Sequence, residues 1–145
     1  MKRIIAVLTA FVLLLSCSAV FAAEEVTVAL NGRVLSFDVP AQIIDDRTMV
    51  PMRKIFEELG AEVEWYEAEQ GIVAIKDSTI IIMKIDAPMM QVANVETNEQ
   101  KQIELDVPPQ IVDSRTLVPV RAISESLGVS VDWVAETGTV VLTSN

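Results

Sequence analysis

Histidine is missing from this 145-residue chain, and cysteine occurs once, at Cys17. Without imidazole there is no His-ligated metal and no side chain whose ordinary pKa lies near neutrality for acid–base work. A single thiol excludes a disulfide within the chain, so stability has to come from packing. Aromatic residues are few: Trp65, Trp133, Tyr66 and four Phe. Positive charge is scarce, with 11 Lys and Arg against 21 Asp and Glu and a formal net charge of −10. So acidic a chain repels phosphate backbones, and its basic residues are scattered, which argues against nucleic acid as a partner. The longest apolar run, Ile4 to Leu15, falls short of the ~20 residues that a membrane-spanning helix needs.

Lys2 and Arg3 precede that run and small residues ending in Val20-Phe21-Ala22 follow it, which is the layout of a secretory signal peptide over 1–22. Cleavage after Ala22 would leave no cysteine, nine basic against 21 acidic residues, and a net charge of −12. A second reading takes Leu14-Leu15-Ser16-Cys17 as a lipobox-like site with Cys17 as a lipid-bearing N-terminus; Leu15 is large for such a site, which favours the first. Under either reading the protein is exported, free or attached to the cell envelope. The remaining ~120 residues lie within the usual size of one domain.

What is present in quantity is repetition. Asp38 to Trp65, DVPAQIIDDRTMVPMRKIFEELGAEVEW, returns at an offset of 68 as Asp106 to Trp133, DVPPQIVDSRTLVPVRAISESLGVSVDW, with 17 of 28 positions identical. The chain therefore reads as one unit used twice, over 24–77 and 78–145. In the first unit, Val26–Leu30 and Arg33–Phe37 flank Asn31-Gly32, a strong hairpin signal because a type I′ turn needs positive φ at both central residues. A second turn is expected at Asp45-Asp46. Pro51 opens a helix in which Met52, Ile55, Phe56 and Leu59 form one apolar stripe, and Gly60 ends it as a left-handed cap. Glu62 to Trp65 then alternates as a half-buried strand, and Ile72–Ile75 closes a hairpin with it.

The second unit repeats this logic with Pro119, Val120, Ile123, Leu127 and Gly128, but Ser124 stands where Phe56 stood. Less volume is needed there, or a neighbour fills it. Thr79–Ile85 is strongly β-prone and has no counterpart after Thr143, so it is expected to join or bridge the units. No Gly/Ser-rich linker separates them. The fold class is α+β: two repeats, each a small antiparallel sheet wrapped around one short helix.

The paired motifs Asp-Arg-Thr-Met-Val-Pro-Met-Arg with Leu-Gly-Ala-Glu-Val-Glu-Trp, and Ser-Arg-Thr-Leu-Val-Pro-Val-Arg with Leu-Gly-Val-Ser-Val-Asp-Trp, resemble the copper amine oxidase N-terminal-like, or stalk, domain family in two tandem copies. The resemblance implies a small exported bacterial α/β module that is a non-catalytic stalk in amine oxidases and elsewhere accompanies wall hydrolases or stands alone. It does not imply copper, which those oxidases hold through histidines of a separate domain beside a tyrosine-derived quinone. No cofactor is expected here. A thioether site at Met83, Met89 and Met90 would suit Cu(I), but methionine more often fills core gaps.

Several residues recur at equivalent places: Arg47, Pro51, Arg53, Glu57, Gly60 and Trp65, then Arg115, Pro119, Arg121, Glu125, Gly128 and Trp133. The arginines read either as an anion clamp or as turn-tying bonds and ion pairs within each unit; Glu57 and Glu125, at i,i+4 from Arg53 and Arg121, favour the second. The tryptophans read as sugar platforms or, alternating in phase with valine, as core, and core is favoured. Tyr66 is out of phase with them and is the better exposed contact. Asp45-Asp46 is a weak calcium candidate because Ser114 replaces Asp46. Hydrolysis would need two carboxylates placed across a bond, and the acids fall on solvent faces. The expectation is a secreted, non-catalytic envelope module that binds a wall polymer or protein, or else self-associates as a stalk; a Cu(I)-handling protein or a hydrolase is the remote alternative.

Overall fold

A computed structural model describes residues 26–145, so Cys17 and the leader expected over 1–22 lie outside the described residues. The described residues are mainly β, with 13 strands and two seven-residue helices. In order these are β1 (Thr27–Leu30), β2 (Arg33–Val34), β3 (Gln42–Ile44), β4 (Arg47–Pro51), α1 (Met52–Glu58), β5 (Glu62–Tyr66), β6 (Gly71–Lys76) and β7 (Thr79–Lys84). Then come β8 (Met89–Asn94), β9 (Gln100–Glu104), β10 (Gln110–Val112), β11 (Arg115–Pro119), α2 (Val120–Ser126), β12 (Ser130–Val134) and β13 (Thr139–Thr143). Among the described residues no helix is long and apolar enough to cross a membrane.

The turns form where the sequence places them. Asn31-Gly32 has φ of 50° and 83°, and Asp45-Asp46 has 48° and 66°, positive at both central residues as a tight hairpin requires. The strand after Asn31-Gly32 is shorter than expected, because only Arg33 and Val34 stay in the ladder before the chain turns toward Pro40. Pro51 and Pro119 are one place earlier than expected: each is the extended last residue of its strand and the N-cap of its helix, with ψ of 124° and 117°. The helix ends follow one pattern. Gly60 N–H bonds Glu57 O and Ala61 N–H bonds Phe56 O, while Gly128 bonds Glu125 O and Val129 bonds Ser124 O. Each glycine supplies the positive φ that this Schellman closure needs.

Strands from before and after residue 78 share every sheet. One sheet runs β12-β13-β1-β2, a second β10-β11-β4-β3, and a third β5-β6-β7-β8-β9. The private sheet expected around each helix gives way to shared ones, and sharing joins two-stranded hairpins, each marginal by itself, into sheets of four and five strands. All pairings are antiparallel except β1 with β13. In the central sheet Val118 lies opposite Val50, with Leu117 opposite Pro51 and Pro119 opposite Met49. Under the offset of 68 the Val50–Val118 pair maps onto itself and the other two pairs interchange. β7 bridges as expected: it separates β6 from β8 in one outer sheet, where β13 meets β1 directly in the other.

The helices cross over. α1 packs on β11 as well as on β4 and β5, and α2 on β4 as well as on β11 and β12. Met52, Ile55, Phe56 and Leu59 are buried with Val120 and Ile123 in one large core that draws on all three sheets. On the other face of the central sheet Met49, Leu117 and Val107 form a smaller cluster. A sheet covered on both faces explains why β4 and β11 are apolar without alternation.

Candidate functional site

The tight hairpins fix where the arginines stand. Arg47 and Arg115 begin β4 and β11 immediately after turns whose residues all have positive φ. Each guanidinium donates to the carbonyl behind it, Arg47 Nη1 to Asp46 O at 3.2 Å and Arg115 Nη1 to Ser114 O at 3.4 Å, which is the expected turn tie. Their carboxylate partners, however, come from across the molecule. Arg47 Nε donates to Asp106 Oδ2 at 3.0 Å and its Nη2 reaches the same oxygen. Arg115 Nη2 lies 3.5 Å from Asp38 Oδ2. Because β4 and β11 pair with each other, the nearest acid belongs to the other half. Ion pairs this exposed contribute only about 0–1 kcal/mol each, so stability is a weak reason to have both.

Arg53 and Arg121 lie in the first turns of α1 and α2, with Glu57 at 4.0 Å and Glu125 at 3.1 Å one turn on. Arg121 Nη1 also donates to Val131 O at 3.2 Å, tying α2 to β12. The tryptophans divide: Trp65 packs against the core, as alternation predicts, and Trp133 does not. Trp65 is half-buried, with Nε1 donating to Glu67 Oε2 at 2.6 Å, and Trp133 is 44% exposed. Their phase is inward, since Val63 is buried and Val131 packs on the core. What alternation cannot show is whether anything covers the end of the strand, and helices of seven residues, about 10 Å long, leave those ends open. Tyr66 is 46% exposed; its hydroxyl donates to Glu64 Oε2 at 2.8 Å, and that bond, then the charge of Glu64, raises the phenol pKa.

These residues converge on two clefts. The first, about 750 Å³, is lined from one half by Asp38, Pro51, Met52, Arg53 and Trp65 and from the other by Ile111, Ser114, Arg115 and Thr116. The second, about 530 Å³, is lined by Asp106, Pro119, Val120, Arg121 and Trp133 facing Ile43, Asp46, Arg47 and Thr48. Position for position, these nine pairs are related by the offset of 68. The repeated motif thus builds a Trp, two Arg and an Asp into each cleft, and each cleft takes residues from both halves. Sequence reading found the residues and missed the convergence, which needs the exchange of strands. Gly60, Gly128 and Glu125 stay outside the linings, and Tyr66 lies outside both clefts.

The metal candidates do not assemble. Among the described residues no three Asp, Glu, Cys or His side chains are grouped to hold an ion. Met83 and Met90 are buried in the core, while Met89, next to Met90 on the alternating strand, is 41% exposed on the opposite face, so three thioethers do not meet.

Fold and clefts together define a mainly β, two-helix module with paired, partly aromatic clefts. The sequence model of the copper amine oxidase N-terminal domain matches residues 29–142, and the chain belongs to that family. In copper amine oxidases this domain is a non-catalytic module. Comparison with curated proteins finds no match.

Proposed function

We propose that this chain is an exported, non-catalytic module of the cell envelope, made of two copies of one family unit (24–77 and 78–145 behind a leader over 1–22), that binds an envelope partner through its two clefts. The observation that carries the reading is the equivalence of the clefts: nine lining positions of one recur at the same offset in the other. Two like sites on one body raise retention on a repeating partner far beyond that of either site. Cell-wall polymer is the repeating partner an exported protein meets. Support for a non-catalytic role comes from the family and from the carboxylates Asp38 and Asp106, each occupied by an arginine. Retention of the mature chain, 23–145, on intact cell-wall sacculi across a salt series tests this. Saturable retention that survives moderate salt is expected, and no retention at any salt would sink it.

Self-association as a stalk has one observation of its own. The outer face of the five-stranded sheet carries Ile75 and Ile82, 44% and 39% exposed, beside partly exposed Val73 and Ile80. Sedimentation of the mature chain over a concentration series separates the readings: a monomer throughout would leave the stalk reading without its contact.

A further inference from the structure

We infer that the two clefts are glycan sites that take uncharged pyranose units, each site seating a sugar ring on its tryptophan and bonding the ring's hydroxyls with its Arg–Asp pair. This rests on the binding role proposed above and names its ligand class.

Three observations point there. The first is which positions the two segments keep. Some positions have changed, in the core at Phe56/Ser124 and Ala61/Val129 and at the surface at Glu62/Ser130, while Val50/Val118 and Ile55/Ile123 are kept in the core. Asp38/Asp106, Arg47/Arg115, Arg53/Arg121 and Trp65/Trp133 are identical, although most of these side chains are exposed and, Trp65 apart, none packs on the core. All eight line the clefts. Seven of these eight are exposed, so packing does not account for their being kept, and the clefts are where they meet.

The second is the chemistry of the set. A tryptophan offers a broad apolar ring that suits the C–H face of a pyranose while its polar edge stays bonded, and Trp65 Nε1 is already bonded to Glu67. A guanidinium beside a carboxylate presents fixed donors next to fixed acceptors, which matches adjacent sugar hydroxyls that both give and accept.

The third is charge. The first cleft sets Arg53, Lys54 and Arg115 against Asp38, Glu57 and Glu67 and is balanced. The second sets Arg47 and Arg121 against Asp46, Asp106 and Asp132, a net −1, in a chain of net −10. Arginines already paired in an acidic molecule give an anion no net attraction. A neutral ligand incurs no such repulsion.

The chain's only two tryptophans stand in the two clefts, so its intrinsic fluorescence reports both sites and little else. The mature chain is titrated with chitotetraose, cellotetraose and maltotetraose, and with an oligogalacturonate as the acidic counterpart. Expected is a saturable change in emission with at least one neutral oligosaccharide and none with the acidic one. The stoichiometry should be two, falling to one in Trp133→Ala, with Tyr66→Ala unchanged. Trp133 is exposed, so its variant keeps the fold, which circular dichroism checks. Failure of all three neutral sugars, a response to the acidic one alone, or an unchanged stoichiometry in Trp133→Ala overturns the inference. If sacculi still retain a chain that ignores every neutral sugar, this inference falls and the binding role stands; if retention is lost as well, both fall.

Discussion

At the scale of the residue, two side chains carry costs that a substitution can expose. Ser124 is fully buried on α2 and its Oγ has no hydrogen-bond partner, the one such side-chain atom among the described residues. Removing an unpaired buried hydroxyl relieves a cost of about 1 kcal/mol or more, and alanine is also the better helix former. Ser124→Ala should therefore raise the thermal midpoint, whereas Phe56→Ser at the equivalent position of α1 should cost about 4 kcal/mol through cavity and hydroxyl together. A fall in midpoint for Ser124→Ala would mean the hydroxyl has a partner. Glu58 ends α1 with no basic residue of the last turn to offset it, where the helix dipole disfavours an acid. Bonds from Arg33 at 2.5 Å and Lys54 at 2.8 Å hold its carboxyl down to about 2, against an ordinary value of 4.5. A depressed carboxyl pKa stabilises the fold fully above the unfolded value, and that stabilisation fades as pH falls from about 4.5 toward 2. The difference in midpoint between wild type and Glu58→Gln should be largest near neutrality and shrink steadily as pH falls from about 4.5 through about 2, measured by thermal unfolding across that range. Tyr66 gives a companion readout, since its phenol should titrate lower in Glu64→Gln than in wild type by ultraviolet absorbance.

At the scale of the element, local chemistry was legible where it is self-contained. The Asn31-Gly32 and Asp45-Asp46 turns, the stripe of Met52, Ile55, Phe56 and Leu59, and the glycine caps all follow from constraints within a few residues. Gly60 and Gly128 have φ of 82° and 78°, and a Cβ there would meet Lys76 Cε at 3.7 Å or nothing within 4 Å. Space is available, so alanine is opposed only by the backbone conformation, by about 1 kcal/mol at each position. Gly71, without positive φ and with its nearest atoms at 3.9 Å, should accept alanine almost neutrally. Chemical denaturation of the three variants checks this, and a Gly71→Ala cost equal to that of Gly128→Ala would remove the conformational argument. Trp133 marks where reading stopped. Its inward phase is correct, but the cover that would bury it depends on how far α2 reaches and on which hairpin stands opposite, and neither is written in the strand itself.

At the scale of the whole molecule, the exchange of strands was the part the sequence concealed. Repetition at an offset of 68 shows that two segments are alike; it does not show whether β1 returns to its own hairpin or to β13, because both choices bury the same residues. The bridging strand Thr79–Lys84 was the one visible sign, being an extra strand with no place in a simple repeat. The consequence concerns the first half alone. Cut after Ser78, it would lose β13 beside β1, β11 beside β4 and β7 beside β6, and α1 would lose its seat on β11. Its β1–β2 and β5–β6 hairpins would be isolated two-stranded pieces, marginal in water. The central pairing offers a substitute, however, since the positions that meet at Val50 and Val118 are equivalent, and a second copy of β4 presents nearly what β11 does. A fragment of residues 24–78 should therefore be unfolded when dilute and should gain structure only as it dimerises, with Arg47 of each copy reaching Asp38 of the other in place of Asp106. Far-ultraviolet circular dichroism and sedimentation over the same concentration series test this together. Structure that tracks the dimer supports a fold assembled by exchange, and a folded monomer at the lowest concentration would show that each half is complete by itself.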